Sequence, residues 1–278
     1  MIATVEMDRV WDRTAAFVRT HAAALLALGG LTLLLPTFVS GTAAAAAVET
    51  TGFVRALLAV VQLVASLVML WAELAVVALA IAPGELGGAM RRAALRLPVV
   101  IGIGLLLAVG ALVLALPALG ILLAYHVDFV TAAAAGEPVT PSAAPAAWIA
   151  LYALIVLPLV LWLAARLVLV APVVLEERRG IGAIARSFAL TRGLAARIIG
   201  VLLLYGVVTL VLTVAVQFAA GTVFGILFGS DDGLGLASIV TLLLTAVVET
   251  GMAVLLWAFI GKLYREACER QDETAAHR

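Results

Sequence analysis

Six long apolar runs divide this chain, and they leave few folds open to it. A helix needs about 20 apolar residues to cross the hydrocarbon layer of a membrane. Each run is about that long or longer and lacks the alternating pattern of a membrane β-barrel, so the runs predict transmembrane helices. They cover approximately residues 21–40, 56–81, 99–124, 148–171, 198–226 and 236–261. The predicted fold class is an all-α, polytopic membrane protein with six transmembrane helices.

The composition agrees with a membrane protein and excludes several other classes. Hydrophobic residues make up 65% and charged residues 12% of the 278 residues, and the mean hydropathy is +1.22. A soluble domain contains about 25% charged residues. The formal net charge is zero, and we expect no nucleic-acid partner. Cys268 is the only cysteine, which excludes an intrachain disulfide and a Cys-based metal site. Lys262 is the only lysine among 17 basic residues, a bias typical of high-GC bacterial genomes.

The basic residues are distributed unequally between the two sides of the predicted spans. Those that precede the first run, or follow the second, fourth and sixth, are Arg9, Arg13, Arg19, Arg91, Arg92, Arg96, Arg178, Arg179, Arg186, Arg192, Arg197, Lys262, Arg265, Arg270 and Arg278. The connections on the other side carry only Arg55, together with the acids Glu49, Asp128, Glu137, Asp231 and Asp232. By the positive-inside rule, both termini are predicted to be cytoplasmic, in the cytoplasmic (inner) membrane of a bacterium.

The first 20 residues form an amphipathic pattern before the first run. The positions that share the apolar helical face are Met7, Val10, Trp11, Thr14, Phe17 and Val18. A cleaved secretory signal is the alternative, with residues 22–39 as its apolar region. The leader, however, has a side-chain charge of zero, whereas that of a signal is positive. Residues 1–20 are therefore predicted to be an amphipathic helix in the inner membrane interface.

Two connections between spans have a similar amphipathic pattern. The stretch "APVVLEERRGIGAIARSFALTRG" at residues 171–193 has apolar residues at helical spacing and arginines on another side. The apolar positions are Ile181, Ile184, Ala185 and Phe188. Residues 86–97 have a comparable stripe. Both predict interfacial helices with an apolar face in the headgroup boundary. The candidate lipid contacts are Arg91, Arg92, Arg179, Arg186 and Arg192.

The two connections also resemble each other together with the spans that follow them. The segment "GAMRRAALRLPVVIGIGLLL" (88–107) aligns with "AIARSFALTRGLAARIIGVLLL" (183–204), which places Arg91 against Arg186, and an Ala-Pro pair lies upstream of both. The alternative is a chance similarity between Ala- and Leu-rich segments. The alignment predicts an internal duplication with repeat units at about 56–124 and 148–226. The predicted domains are an interfacial helix at 1–20, a six-helix transmembrane domain at 21–262 and a cytoplasmic tail at 263–278.

The longest distinctive motif is "ARLVLVAPVVLEERRGIGAIARSFALTRGLAARIIGVLLL", at residues 165–204. It resembles the membrane domain of some glycerophosphoryl diester phosphodiesterases and of many stand-alone, uncharacterised bacterial membrane proteins. The matching positions are Arg166, Pro172, Glu176 or Glu177, Ala185 with Arg186 and Ser187, and Gly193. The tail "KLYREACERQ" resembles the family's ending, and about residues 60–270 are covered. The resemblance implies a membrane domain without catalysis, because the family's phosphodiesterase chemistry belongs to a separate barrel of about 250 residues.

The sequence predicts neither an enzyme nor a cofactor or metal site. His21, His126 and His277 are the only histidines and are far apart along the chain. The stretch "HVDF" at residues 126–129 has no further metal-ligand residue nearby, and the sequence contains no Gly-rich phosphate loop and no nucleophile elbow. We therefore expect no enzymatic activity and no cofactor.

Three ionisable residues, Glu73, Arg166 and Glu249, lie inside or close to the predicted spans. Charge within a membrane is costly, and it indicates an ion or substrate path by default. The structural alternative is that Arg166 reaches the interface and that the glutamates are protonated and hydrogen-bonded. We predict that Arg166 is paired with Glu73, with Glu249 as the alternative partner.

Glycines and prolines inside the spans predict details of packing. Pro36, Pro117 and Pro158 predict kinks. The G-x-x-x-G steps at the end of the fifth run predict a close approach between helices, within the monomer rather than between monomers. The glycines concerned are Gly221, Gly225 and Gly229.

The leading functional hypothesis is a non-catalytic membrane scaffold or accessory module that engages lipid headgroups or a partner enzyme. The alternative is a transporter or lipid-handling protein with a path between the two repeats, lined by Glu73 and Glu249. An intramembrane enzyme is a third, more distant hypothesis. Membrane lipids are the expected partners, with a membrane or cytoplasmic protein as a further candidate. The sequence leaves the oligomeric state and any transported substrate open.

Overall fold

A computed structural model of the chain describes residues 6–48, 50, 52–127, 142–228 and 235–276. Some predicted features lie outside these residues. They are Glu49, Asp128, Glu137, Asp231, Asp232, Gly229 and His277. The helices are α1 (Met7–Thr20), α2 (Ala22–Gly29), α3 (Leu35–Val48), α4 (Gly52–Ile81), α5 (Leu86–Ala124), α6 (Ala143–Leu167), α7 (Val170–Glu176), α8 (Gly182–Leu190), α9 (Ala195–Phe228) and α10 (Leu236–Ala276). A π-helical segment, Gly30–Leu34, joins α2 to α3.

The predicted fold class is confirmed. Six helical stretches are long and apolar enough to cross a membrane, and the described ranges contain no strand. The six stretches are Ala22–Ala47, Gly52–Ile81, Leu86–Ala124, Ala143–Glu176, Ala195–Phe228 and Leu236–Glu273. Large apolar side chains cover the outer surfaces of α5, α6 and α9, where a soluble protein would carry polar ones. These surfaces are suited to lipid.

Two helix boundaries differ from the sequence prediction. The last helix, α10, continues to Ala276, well past the end of the apolar run at residue 261, and the cytoplasmic tail at residues 263–278 stays a prediction. Its apolar positions Leu263, Tyr264 and Ala267 remain buried beyond the end of the apolar run, so tertiary packing holds this part in a helix. The stripe at residues 86–97 is likewise the first part of α5 rather than a separate interfacial helix, since the helix continues through Pro98.

The prolines affect the helices unequally. The π-helical segment Gly30–Leu34 ends two residues before Pro36. A proline has no N–H to donate to the carbonyl four residues earlier, and a locally widened turn is one way to accommodate that loss. By contrast, α5 and α6 stay helical through Pro117 and Pro158.

Helix α4 is the centre of the bundle. It contacts α3, α5, α7 and α10, and it is the most buried of the six long helices. Every residue from Leu74 to Ile81 is buried. The core therefore lies around the C-terminal half of α4. We call this end of the molecule the basic end; it is formed by α1, residues 82–85, α7, α8 and the last part of α10.

One glycine sets the distance between α4 and α10. A Cβ added to Gly261 would lie 2.7 Å from the Cβ of Ala80 and 3.2 Å from the carbonyl oxygen of Val77. Real Cβ atoms do not approach other heavy atoms this closely, so only glycine allows the two backbones to meet here. The G-x-x-x-G glycines behave differently. A Cβ added to Gly221 or Gly225 would meet nothing within 4 Å, so the predicted close approach within the monomer is wrong at these two positions.

Helix α1 packs on protein. Val10, Thr14 and Phe17 are buried, and the ring of Trp11 lies 4.7 Å from that of Phe259 in α10. The apolar face that the sequence placed in the lipid boundary is therefore covered by α10. An amphipathic pattern shows that a face is apolar, but it does not distinguish a protein surface from a lipid surface.

The two proposed repeat units have different helix boundaries. In the first unit α4 ends at Ile81, before the Ala-Pro pair. In the second unit α7 runs through Pro172, the third residue of that helix, where a backbone N–H would have no intrahelical partner. A turn with Gly193 at φ +80° then separates α8 from α9, whereas α5 is unbroken. The internal duplication stays a prediction.

Candidate functional site

Glu177, next to the end of α7, holds three elements of the basic end together. The Nε atom of Arg186 in α8 donates a hydrogen bond of 2.8 Å to Oε1 of Glu177, and the hydroxyl of Tyr264 in α10 donates to the same oxygen at 3.3 Å. Oε2 of Glu177 lies 2.9 Å from Nε of Arg179. Nη1 of Arg186 also donates to Gln271 at 2.6 Å. The hydrogen bond to Glu177 raises the pKa of Arg186 above its usual value, so this arginine stays charged.

Arg166 fastens the end of α6 to α8. Its Nη1 donates to the carbonyl oxygen of Phe188 at 3.0 Å, and its own carbonyl accepts a 2.6 Å hydrogen bond from the Ser187 hydroxyl. The guanidinium lies 5.4 Å from the ring centroid of Trp162 and 5.8 Å from that of Phe188. These distances allow cation–π attraction to both rings.

The predicted ion pair between Arg166 and Glu73 is wrong, and so is the alternative with Glu249. None of the ion pairs between described residues includes Arg166, Glu73 or Glu249. Arg166 belongs to the last turn of α6, where the carbonyl of Phe188 and two aromatic rings are within its reach. A carbonyl and two rings thus take the place of the expected carboxylate.

The two glutamates lie at different depths in the bundle. The contact between Gly261 and Ala80 is a common reference point for the two helices. At 1.5 Å per residue, Glu73 precedes this contact by about 10 Å along α4, and Glu249 precedes it by about 18 Å along α10. The indole of Trp257 faces the carboxyl of Glu73. The buried hydroxyls of Thr245 and Thr250, close to Glu249 in sequence, have no hydrogen-bond partner among the residues that the structure covers.

Three basic side chains bind the last carbonyl groups of α4. Nζ of Lys262 donates to the Ala80 oxygen at 2.7 Å, and Nη1 of Arg265 donates to that of Ile81 at 3.3 Å. Nη2 of Arg92 lies within hydrogen-bond distance of the oxygens of Ala78 and Ala82, at 3.4 and 3.3 Å. The last turn of a helix has unpaired carbonyls and a partial negative charge, so cations are favourable there.

The five arginines predicted as lipid contacts differ in exposure and in their contacts. Arg91 and Arg192 are exposed. Arg92 is half-buried and lies 3.5 Å from Glu176, and Arg186 is directed towards Glu177 and Gln271; both are turned towards the protein. Arg179 is 56% exposed but contacts Glu177. The headgroup contacts predicted at these five positions stay a prediction.

In α8 the buried face differs from the predicted apolar face. Ala183, Ser187 and Leu190 are buried against the rest of the basic end. Ile181, in the expected stripe, is 70% exposed. This apolar side chain at the start of α8 thus remains accessible from outside the protein.

A cavity that the sequence did not predict lies between α1 and the ends of α4 and α10. We call it the basic pocket. Its volume is about 360 Å³, and it is lined by Arg13, Ala16, Phe17, Thr20, His21, Pro83, Lys262, Arg265 and Glu269. Its residues come from three distant parts of the chain, and only the docking of α1 brings them together. The single lysine of the sequence was the one available signal, and by itself it did not indicate a pocket.

Metal binding finds no support in the part of the chain that the structure describes. These residues contain no group of three or more His, Cys, Asp or Glu side chains that could hold a metal ion. His21 directly precedes the first span, and its Nδ1 lies 3.2 Å from the Phe17 carbonyl oxygen, whereas His126 follows α5 at the opposite end. The structure does not bring these two histidines together.

Comparisons with protein-family models, curated proteins and solved structures found no match for this chain. The resemblance to the phosphodiesterase membrane domain stays a prediction. The residues that carry it meet where α6, α7 and α8 join, and there Arg166, Glu177 and Ser187 make structural contacts.

Proposed function

We propose that this chain is a non-catalytic membrane scaffold whose basic end lies at the cytoplasmic face and engages anionic lipid headgroups and a partner protein. The observation that carries this proposal is the position of the packed core. The buried core and the polar contacts around Glu177, Arg166 and the end of α4 all lie at the basic end. A polar surface that these contacts hold together, beside long apolar helices that are mostly exposed, suits a platform for headgroups and proteins.

The exposed residues of this surface support headgroup binding. Arg91 and Arg192 are exposed, as is the apolar side chain of Ile181. A basic residue near an anionic membrane surface contributes about 1 kcal/mol of attraction. Two arginines therefore give a preference of roughly tenfold or more for anionic over neutral lipid.

The test of this proposal is purification from native membranes with the surrounding lipid retained. We expect anionic lipids to be enriched over the bulk membrane and one protein to copurify reproducibly. The double variant Arg91→Gln/Arg192→Gln should lose most of the lipid enrichment, whereas Arg55→Gln, at the opposite end, should retain it. A preparation without enriched anionic lipid and without a recurrent protein would refute the scaffold.

The orientation gives a separate prediction. Reporter fusions at residues 10, 90, 185 and 275 should give cytoplasmic signals, and fusions at 48, 135 and 232 should give external ones, because the basic connections stay inside. An external signal at residue 275 would contradict the cytoplasmic placement of the basic end.

A lipid-handling protein is the second candidate, and one observation favours it. An apolar cavity of about 740 Å³ lies between α5 and α6, at the boundary between the two proposed repeat units. The hydroxyl of Tyr152 donates to the Leu114 carbonyl beside it. Neither Glu73 nor Glu249 lines this cavity. A reproducibly copurified neutral lipid or small molecule, without a protein partner, would favour this candidate.

A further inference from the structure

We propose that the basic pocket binds the phosphate of an anionic lipid headgroup. This inference rests on the proposed function, because it assigns a ligand to one site of the basic end. Lys262 and Arg265 supply the charge, and α1 forms the opposite wall.

Lys262 is a buried cation without a carboxylate partner. It is 8% exposed, and none of the ion pairs in the described part of the chain includes it. Its Nζ contacts the Ala80 carbonyl and lies 4.6 Å from the centroid of the Phe17 ring. An ammonium group has three N–H donors, and the carbonyl uses one of them. A buried charge is costly unless a counter-charge accompanies it, and an anion in the pocket would supply that charge.

Arg265 adds a second cation that is only weakly compensated. Its Nη1 binds the Ile81 carbonyl, while its Nη2 is 3.9 Å from Glu269. Glu269 and Glu266 lie closer to Arg13, at 2.9 and 2.8 Å from its Nη1. Glu266 also lies 3.5 Å from Arg9, so the two carboxylates are closer to these two arginines than to Arg265. Two cationic side chains that share one cavity fit a phosphate better than a neutral ligand.

The depth of the pocket agrees with a lipid headgroup rather than with an acyl chain. Thr20 and His21 directly precede the first apolar span, Pro83 follows α4, and Lys262 follows the last apolar run. The ends of three spans therefore place the pocket at the boundary between hydrocarbon and water. A volume of about 360 Å³ leaves space for more than the phosphate group, within the range of small-molecule sites.

The steric test uses two neighbouring alanines of α1. Ala16 is exposed and lines the pocket, whereas Ala15 is exposed and does not line it. Native mass spectrometry of the full chain in detergent would measure the binding of phosphatidylglycerol and of phosphatidylcholine. We expect phosphatidylglycerol to bind at least about tenfold more tightly than phosphatidylcholine. Ala16→Phe should weaken phosphatidylglycerol binding about tenfold, and Ala15→Phe should leave it unchanged; equal binding by both variants would overturn the proposal.

The electrostatic test separates ligand binding from helix capping. Lys262→Gln/Arg265→Gln removes the two pocket cations other than Arg13, and with them two contacts to the end of α4. Arg92→Gln removes a contact to the same helix end from outside the pocket. The double variant should lose the preference for phosphatidylglycerol, and Arg92→Gln should keep it. A loss of similar size in Arg92→Gln would show that the charges act through stability alone.

Competition with inorganic phosphate distinguishes the two sources of the phosphate group. Lipid that remains bound in an excess of inorganic phosphate supports the headgroup. Binding of inorganic phosphate alone that Ala16→Phe abolishes would assign a soluble ligand and overturn the lipid assignment. If pocket variants keep full lipid binding while Arg91→Gln/Arg192→Gln loses it, the inference about the pocket fails and the proposed function stands.

Discussion

Gly261→Val is expected to lower the stability of the protein more than a change at any other glycine of the last helix. The new Cβ would overlap the Ala80 side chain and approach the Val77 carbonyl, both of which are fixed to the backbone of α4. The two helices must then separate along their most buried stretch. Overpacking of this kind costs about 3 kcal/mol, which corresponds to roughly 6 to 12 °C in the unfolding midpoint for a chain of this size. Thermal unfolding in detergent would measure it.

The matched control lies in the same helix. A Cβ at Gly251 meets nothing within 4 Å, and valine is not a poorer helix former than glycine, so Gly251→Val should change the midpoint little. Gly261→Ala, which adds only the Cβ, should also lower the midpoint. Combining it with Ala80→Gly removes the atom closest to the new Cβ, so the double variant should recover part of this loss. Similar midpoints for Gly261→Val and Gly251→Val would contradict the close contact between α4 and α10.

The spans were predictable from the sequence because crossing a hydrocarbon layer is a requirement on length and polarity alone. Helix ends that depend on tertiary contacts were not predictable in the same way. The apolar run ends at residue 261, but Leu263 and Tyr264 are buried and α10 continues to Ala276. The apolar face of α1 was identified correctly, and its partner was not, since lipid and protein select the same pattern.

The candidate site was predictable only in part. The motif analysis selected Arg166, Arg186 and either Glu176 or Glu177, and the structure brings Arg166, Glu177 and Arg186 to one junction. The partners of Arg166 were missed, because a backbone carbonyl or an aromatic ring leaves no charge pattern in a sequence. The glycines show the same limit: the G-x-x-x-G spacing pointed to Gly221, whereas the close contact occurs at Gly261, which has no second glycine at that spacing.

Glu177→Leu is expected to destabilise the basic end strongly, whereas Glu176→Leu should have a small effect. The Glu177 side chain is 17% exposed and binds Arg186, Arg179 and Tyr264, so its removal leaves the half-buried Arg186 without its carboxylate. Hydrogen bonds to charged groups contribute about 1.5 to 3 kcal/mol, and loss of one partner of an inward-facing pair costs at least as much. Glu176 is 34% exposed and makes one contact of 3.5 Å with Arg92, a contact worth less than about 1 kcal/mol.

A double-mutant cycle separates the ion pair from the other contacts of Glu177. Arg186→Leu removes the charge that Glu177→Leu leaves uncompensated, so the double variant should be less destabilised than the sum of the two single variants. We expect a coupling of about 1 to 3 kcal/mol in the free energy of unfolding. Strict additivity would show that Glu177 acts mainly through Tyr264 and Arg179. Because Glu177 joins α7 to α8 and α10, a large coupling would mean that a charge pair holds the surface that carries Arg192 and Ile181 in place. Headgroup binding should then weaken in Glu177→Leu, although both Arg91 and Arg192 are still present.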